Sequence, residues 1–106
     1  MNDDFERVAA LSELPDGEIM AVDAQGESIL LANVDGHVYA ISETCTHEGA
    51  PLSEGFLTGE ACIECPWHAG QFEITTGSVI SPPPLVDLAT YEVRVDGDDI
   101  YVGRPI

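Results

Sequence analysis

Short apolar runs recur along most of the chain, and turn-forming residues separate them. This pattern is typical of β-strands. The pattern predicts strands at residues 18–22, 28–34, 37–42, 91–95 and 99–102. No window keeps a helical period for longer than a turn or two, so we expect any helix to be short.

Glycine-containing turns separate the predicted strands. Asp35-Gly36 lies between two of them and is a strong hairpin signal, because a two-residue hairpin turn needs the positive φ angles that Asp and Gly tolerate. Residues 23–26 predict a second turn, and Gly97 lies inside a final hairpin. The sequence therefore predicts an all-β, antiparallel fold.

The segment 43–84 differs in character from the chain on either side. It contains all three cysteines, the single tryptophan, two of the three histidines and most of the prolines. Residues 60–64 and 71–75 are its predicted strands, with turns at Thr58-Gly59 and Thr76-Gly77. We expect one domain over 1–106, in which an antiparallel β-sandwich base (about 1–42 and 85–106) carries an inserted smaller subdomain (about 43–84).

Size and charge narrow the possible functions. The 106 residues suit a single domain, and a hydrophobic fraction of 44% is too high for a disordered chain. The chain has twenty acidic residues and only three basic ones, Arg7, Arg94 and Arg104, so its net charge is −17. Such a surface repels phosphate backbones and anionic lipids, so we expect no nucleic-acid or membrane partner. It favours a basic protein partner weakly, since acidity also commonly serves solubility.

The N-terminal region and the cysteine count bear on location. Residues 1–7 are acidic and no apolar run follows them, so no signal peptide is expected. No segment reaches the roughly 20 apolar residues of a membrane helix. Three cysteines is an odd number and a poor match to a disulfide framework. We therefore expect a cytoplasmic protein whose cysteines are available as metal ligands.

Two Cys/His pairs carry the strongest chemical signal. Cys45-Thr46-His47 is followed, after seventeen residues, by Cys65-Pro66-Trp67-His68. Two thiolates and two imidazoles suit iron–sulfur clusters and zinc rather than magnesium or calcium. They could hold tetrahedral zinc in a structural module, or a [2Fe–2S] cluster in which histidines replace cysteines on one iron. Colour separates the two, because a zinc protein is colourless and an iron–sulfur protein is red-brown.

With these pairs and their surroundings the sequence resembles the Rieske family. Residues 45–55 look like the first cluster loop of that family, and 63–68 with 71–77 look like the second loop and its trailing strand. Residues 81–84 resemble the proline loop that covers the cluster. From Arg7 onward the chain is similar to the stand-alone Rieske ferredoxins of bacterial ring-hydroxylating dioxygenases.

The resemblance implies a Rieske fold with one [2Fe–2S] cluster per chain. Cys45 and Cys65 would bind the buried iron, and His47 and His68 the outer iron. It implies an electron carrier with no catalytic residues of its own. Its expected partners are a flavin-containing ferredoxin reductase and a terminal aromatic ring-hydroxylating oxygenase with its own Rieske cluster.

Departures from the respiratory Rieske proteins indicate the subtype. Those proteins carry a further cysteine in each loop and form a disulfide, whereas Ala50 and Trp67 stand at the matching places here. They also place two hydroxyl groups near the cluster, where this chain has Ala69-Gly70 and Phe72. Fewer hydrogen bonds to the sulfurs imply a potential at the low end of the Rieske range, about −150 mV.

Two other interpretations stay open besides the zinc module. The chain also resembles the Rieske small subunit of nitrite reductases, although many of those carry degenerate motifs. Cys62 and Cys65 have the spacing of a dithiol redox motif, but the surrounding sequence reads as a strand entering a loop. We expect Cys62 to be a small strand residue without a chemical role, and His37 to lie on the surface.

Overall fold

The computed structural model describes residues 5–24, 26–44, 51–58, 61–66, 70–81 and 87–106. Within these residues the regular structure is almost entirely β. The strands are β1 Glu6–Ala10, β2 Ile19–Ala24, β3 Glu27–Val34, β4 His37–Ser42, β5 Phe56–Thr58, β6 Cys62–Glu64, β7 Gln71–Glu73, β8 Val79–Ser81, β9 Thr90–Asp96 and β10 Asp99–Pro105, with short 3₁₀ helices at Leu11–Glu13 and Leu52–Glu54.

One sheet has six strands in the order β1-β10-β9-β4-β3-β2, and every neighbouring pair is antiparallel. The β3–β4 hairpin turns at Asp35-Gly36, where both φ angles are positive, at 55° and 85°. This is the backbone that a two-residue turn with right-twisted strands requires. The edge strands β1 and β2 contact each other, so the sheet curls back on itself.

A second sheet has four short strands in the order β5-β6-β7-β8. Its register places Phe56 opposite Glu64 and Glu64 opposite Gln71. Between β7 and β8 the pairing shifts, because Phe72 pairs with Val79 while Gln71 pairs with Ser81. This small sheet is formed by residues 56–81, which lie inside the predicted cluster-binding segment.

Strand β3 separates two hydrophobic cores. Its alternate residues Leu30 and Ala32 face the core that fills the space between the two sheets. The intervening residues Ile29 and Leu31 face the core of the curled six-stranded sheet. All four side chains are fully buried, so β3 reads as a continuous apolar run rather than as an alternating one.

The all-β prediction is confirmed, and so are the predicted strands at both ends of the chain. Strands β1, β5 and β8 were not predicted, and β6 and β7 are shorter than the predicted segments 60–64 and 71–75. The proposed limits of base and subdomain stay a prediction. Among the described residues no helix has the length and apolar character needed to cross a bilayer.

Candidate metal centre

Cys65 begins the second Cys/His loop directly after β6. Its side chain is only 3% exposed and belongs to the core between the two sheets. Its backbone N–H donates to the Gly70 carbonyl at 2.7 Å, and Glu64 just before it pairs with Gln71 just after Gly70. The two ends of this loop are therefore held together, while His68 lies outside the described residues.

The first Cys/His loop is held at both ends as well. Thr44 forms an isolated antiparallel bridge with Pro51, and the Leu52 N–H donates to the Glu43 carbonyl at 2.8 Å. These contacts bracket residues 45–50, which contain Cys45 and His47 and lie outside the described part of the chain.

A side-chain contact also joins the residues on either side of the first loop. The Glu43 carboxylate accepts hydrogen bonds from the Ser53 N–H at 2.9 Å and from the Ser53 hydroxyl at 2.5 Å. The Glu43 N–H also donates to the Ser28 carbonyl at 3.1 Å. This hydrogen bond links Glu43 to β3 of the six-stranded sheet. Sequence analysis missed this pair, because an acid and a serine ten residues apart form no recognisable motif.

The described residues that flank the two loops approach each other at one end of the four-stranded sheet. The 3₁₀ helix that follows the first loop leads through Gly55 into β5, whose first residue Phe56 pairs with Glu64. A Cβ atom on Gly55 would overlap the Glu64 carbonyl oxygen, so the close backbone approach requires glycine here. Gly55 thus brings the end of the first loop against the residue that precedes Cys65.

Residues 82–86 contain three consecutive prolines and lie outside the described residues, but the residues on either side of them are joined by hydrogen bonds. The Leu88 N–H donates to the Gly77 carbonyl at 2.8 Å, and the Val79 N–H donates to the Asp87 carboxylate at 2.9 Å. Gly77 has a φ of 79°, and a Cβ there would overlap the Leu88 carbonyl oxygen. The predicted turn at Thr76-Gly77 is confirmed.

The described part of the site fits a buried cluster ligand. Cys65 is not in a disulfide and lies in a core shared with Leu52, Ile63 and Phe72, all fully buried. A soft sulfur ligand in an apolar, water-poor core suits iron–sulfur chemistry. No group of three or more His, Cys, Asp or Glu side chains lies together among the described residues, so the set Cys45, His47, Cys65 and His68 stays a prediction.

Two further expectations concern residues outside that set. Cys62 is half-buried within β6, as predicted for a strand residue. His37 is exposed at the start of β4, and its ring lies 6.4 Å from that of Tyr39. The absence of a chemical role for Cys62 stays a prediction.

Comparison with known proteins agrees with this architecture. The family described as Rieske [2Fe-2S] domain matches residues 4–92. The chain is 35% identical over 102 residues to the ferredoxin component of a naphthalene 1,2-dioxygenase system from Pseudomonas aeruginosa, covering 96% of this chain and 97% of that protein. It is 40% identical over 95 residues to the 3-phenylpropionate/cinnamic acid dioxygenase ferredoxin subunit of Escherichia coli K12, covering 90% and 89%.

Solved structures show the same likeness. The ferredoxin of carbazole 1,9a-dioxygenase from Nocardioides aromaticivorans IC177 superposes with a TM-score of 0.89 at 37% identity, covering 94% of this chain and 97% of that one. A ferredoxin-sized chain from a complex of reduced oxygenase and oxidized ferredoxin in carbazole 1,9a-dioxygenase gives 0.88 at 39% identity, covering 96% and 94%. The chain belongs to the Rieske [2Fe-2S] domain family, whose members bind a Rieske-type iron–sulfur cluster.

Proposed function

We propose that this chain is a one-electron carrier that passes electrons from a flavin-containing reductase to a terminal aromatic ring-hydroxylating oxygenase. The observation that carries the proposal is the 35% identity to a dioxygenase ferredoxin component over nearly the full length of both chains. A match of this extent leaves no room for an added catalytic domain within the 106 residues. The chain acts as an electron-transfer component rather than as an enzyme.

The proposed ligands are the two Cys/His pairs, with one cluster per chain. Cys45 and Cys65 would hold the inner iron, and His47 and His68 the outer one. The burial of Cys65 supports its place on the inner side. When bound, such a cluster takes up and releases a single electron without a change in its protein ligands.

Three large residues that share a core with Cys65 are apolar. Leu52, Ile63 and Phe72 exclude water from the thiol, and none carries a hydroxyl that could donate to a sulfur. Because the reduced cluster is the more negative state, the lack of a hydroxyl donor on these three described side chains leaves it less stabilised. This supports a low midpoint potential, about −150 mV at the low end of the Rieske range.

The oxygenase partner is supported by a structural neighbour that comes from a complex of ferredoxin with oxygenase. The reductase partner rests on the resemblance to stand-alone Rieske ferredoxins alone. A cytoplasmic location is proposed because the odd cysteine number suits a reducing compartment. Each transfer requires short-lived docking, which suits a small interface with electrostatic steering.

Reconstitution tests the shuttle role. Oxygenase turnover is measured with a cognate reductase, with and without this protein, and with a His68→Ala variant as the matched control. We expect turnover that depends on the intact protein and is lost with His68→Ala. Equal turnover without the protein would contradict the shuttle role. Iron and sulfide analysis of the same sample separates the cluster from the zinc alternative, because a zinc module contains neither.

A further inference from the structure

The outer side of the four-stranded sheet carries a row of neighbouring side chains beside Cys65. Phe56, Glu64 and Gln71 occupy directly opposed positions on β5, β6 and β7, so their side chains share one face. The Gln71 amide donates to the Glu64 carboxylate at 3.1 Å, as this placement requires. The next row points inward and packs in the core; it consists of Leu57, Ile63 and Phe72.

Two large apolar side chains are exposed on the two edge strands of this sheet. Phe56 on edge strand β5 is 54% exposed, and Ile80 on edge strand β8 is 48% exposed. Ile80 is the extra residue of the irregular pairing between β7 and β8, where Val79 and Ser81 have partners. Such bulges re-aim a side chain, often next to functional sites. Three strand spacings, about 14 Å, separate the two edges.

The charge around this row has one sign. Residues 43–84 contain six acidic side chains and neither lysine nor arginine. The three arginines lie on β1, β9 and β10, which are adjacent strands of the other sheet. Arg7 is paired there with Asp99 at 2.8 Å, and Arg94 lies over the Phe5 ring at 4.4 Å. The strands β5–β8 therefore carry acidic side chains and no basic one.

We propose that Phe56, Glu64, Gln71 and Ile80, the docking row, form the contact surface for a redox protein with basic residues around an apolar centre. This rests on the proposed electron-carrier function and names the surface it uses. Exposed aromatic and aliphatic anchors supply contact area, and the surrounding acids steer a basic partner. A second copy of this chain is a poor occupant, because it carries the same net charge of −17.

Electron transfer to a basic acceptor tests the docking row. The reduced holoprotein is mixed in a stopped-flow instrument with oxidised cytochrome c, a strongly basic haem protein, at several salt concentrations. We expect Phe56→Ser and Ile80→Ser each to lower the second-order rate constant about tenfold. Glu64→Gln keeps an acceptor for Gln71 but removes one charge, so we expect it to flatten the salt dependence.

The matched control is Val95→Ser, which removes an apolar side chain of similar exposure, 42%, from β9 of the other sheet. It should leave the rate unchanged. Wild-type rates for both Phe56→Ser and Ile80→Ser, with intact visible spectra, would overturn the proposal. So would a wild-type dimer in size-exclusion chromatography that Phe56→Ser dissociates. A colourless wild-type protein would instead refute the electron-carrier function itself.

Discussion

The Glu43 carboxylate holds Ser53 through two hydrogen bonds, from the backbone N–H at 2.9 Å and from the hydroxyl at 2.5 Å. Two of the four predicted cluster ligands, Cys45 and His47, lie between Glu43 and Ser53 in the sequence. Glu43 is itself attached to the base through Ser28. One side chain therefore fastens the far end of the first loop to the six-stranded sheet.

Replacing Glu43 with alanine should loosen this closure. The change leaves the partly buried Ser53 amide and hydroxyl without their acceptor, which costs about 1–3 kcal/mol in the free energy of unfolding. We also expect the visible absorbance of the holoprotein to bleach several times faster on warming. Denaturant titration and the bleaching half-time measure the two effects.

The matched control for Glu43→Ala is Glu92→Ala, which removes the same charge from an exposed position on β9. It should leave both the stability and the half-time close to the wild-type values. Equal bleaching rates in the two variants would show that the Glu43–Ser53 contact does not hold the loop.

Gly55→Ala should disturb the close approach of Gly55 to Glu64. The new methyl group would overlap the Glu64 carbonyl oxygen, which is backbone and cannot rotate away. Overpacking of this kind costs about 1–3 kcal/mol. Gly103→Ala is the comparison, because the nearest neighbour of its methyl group would be the Phe5 ring at 3.0 Å, a side chain that can shift. Similar unfolding free energies for both variants would contradict the tight approach of Gly55 to Glu64.

Phe72→Tyr tests the proposed cause of the low potential. Phe72 shares the buried core of Cys65, so a phenol there places a hydroxyl donor close to the site. One hydrogen bond that favours the reduced state by about 1.4 kcal/mol raises a one-electron midpoint potential by about 60 mV. Protein-film voltammetry measures the shift. An unchanged or lowered midpoint in a fully loaded variant would count against this explanation.

Tyr91 gives the protein an alkaline limit of stability. Burial, with a smaller contribution from Glu27, raises the pKa of Tyr91 above its ordinary value of 10.0. The unfolded chain ionises first, so this stabilisation is complete below about pH 10 and is lost as the pH rises through the raised folded value. Tyr91→Phe should lose less unfolding free energy between about pH 9 and 11 than the wild type. Parallel losses in urea titrations would refute the assignment.

The strands at both ends of the chain could be predicted because their signals are local. Asp35-Gly36 adopts the positive φ angles that its residue types favour, and both flanking strands have five or more residues. Strand β1 escaped prediction because its pairing partner β10 lies at the opposite end of the chain, with Glu6 beside Val102. Strands β5 and β8 escaped prediction because β5 ends at Thr58, where a turn was predicted, and β8 ends at Ser81, directly before three prolines.

The Cys/His spacing predicts the ligand residues, and this set stays a prediction. The structure describes one of the four, Cys65, which is buried at the end of a strand. The contacts that bring the loops together are tertiary, such as Gly55 against Glu64 and Glu43 with Ser53. Contacts between residues nine or ten positions apart follow no helical or strand period.

Histidine ligation by His47 and His68 is the central claim. The most direct test is the electron paramagnetic resonance spectrum of the dithionite-reduced protein. Two imidazoles on one iron should give a lower average g value than an all-cysteine [2Fe–2S] cluster gives. A spectrum with the g values of an all-cysteine cluster, or no signal from a protein that contains zinc, would contradict the claim.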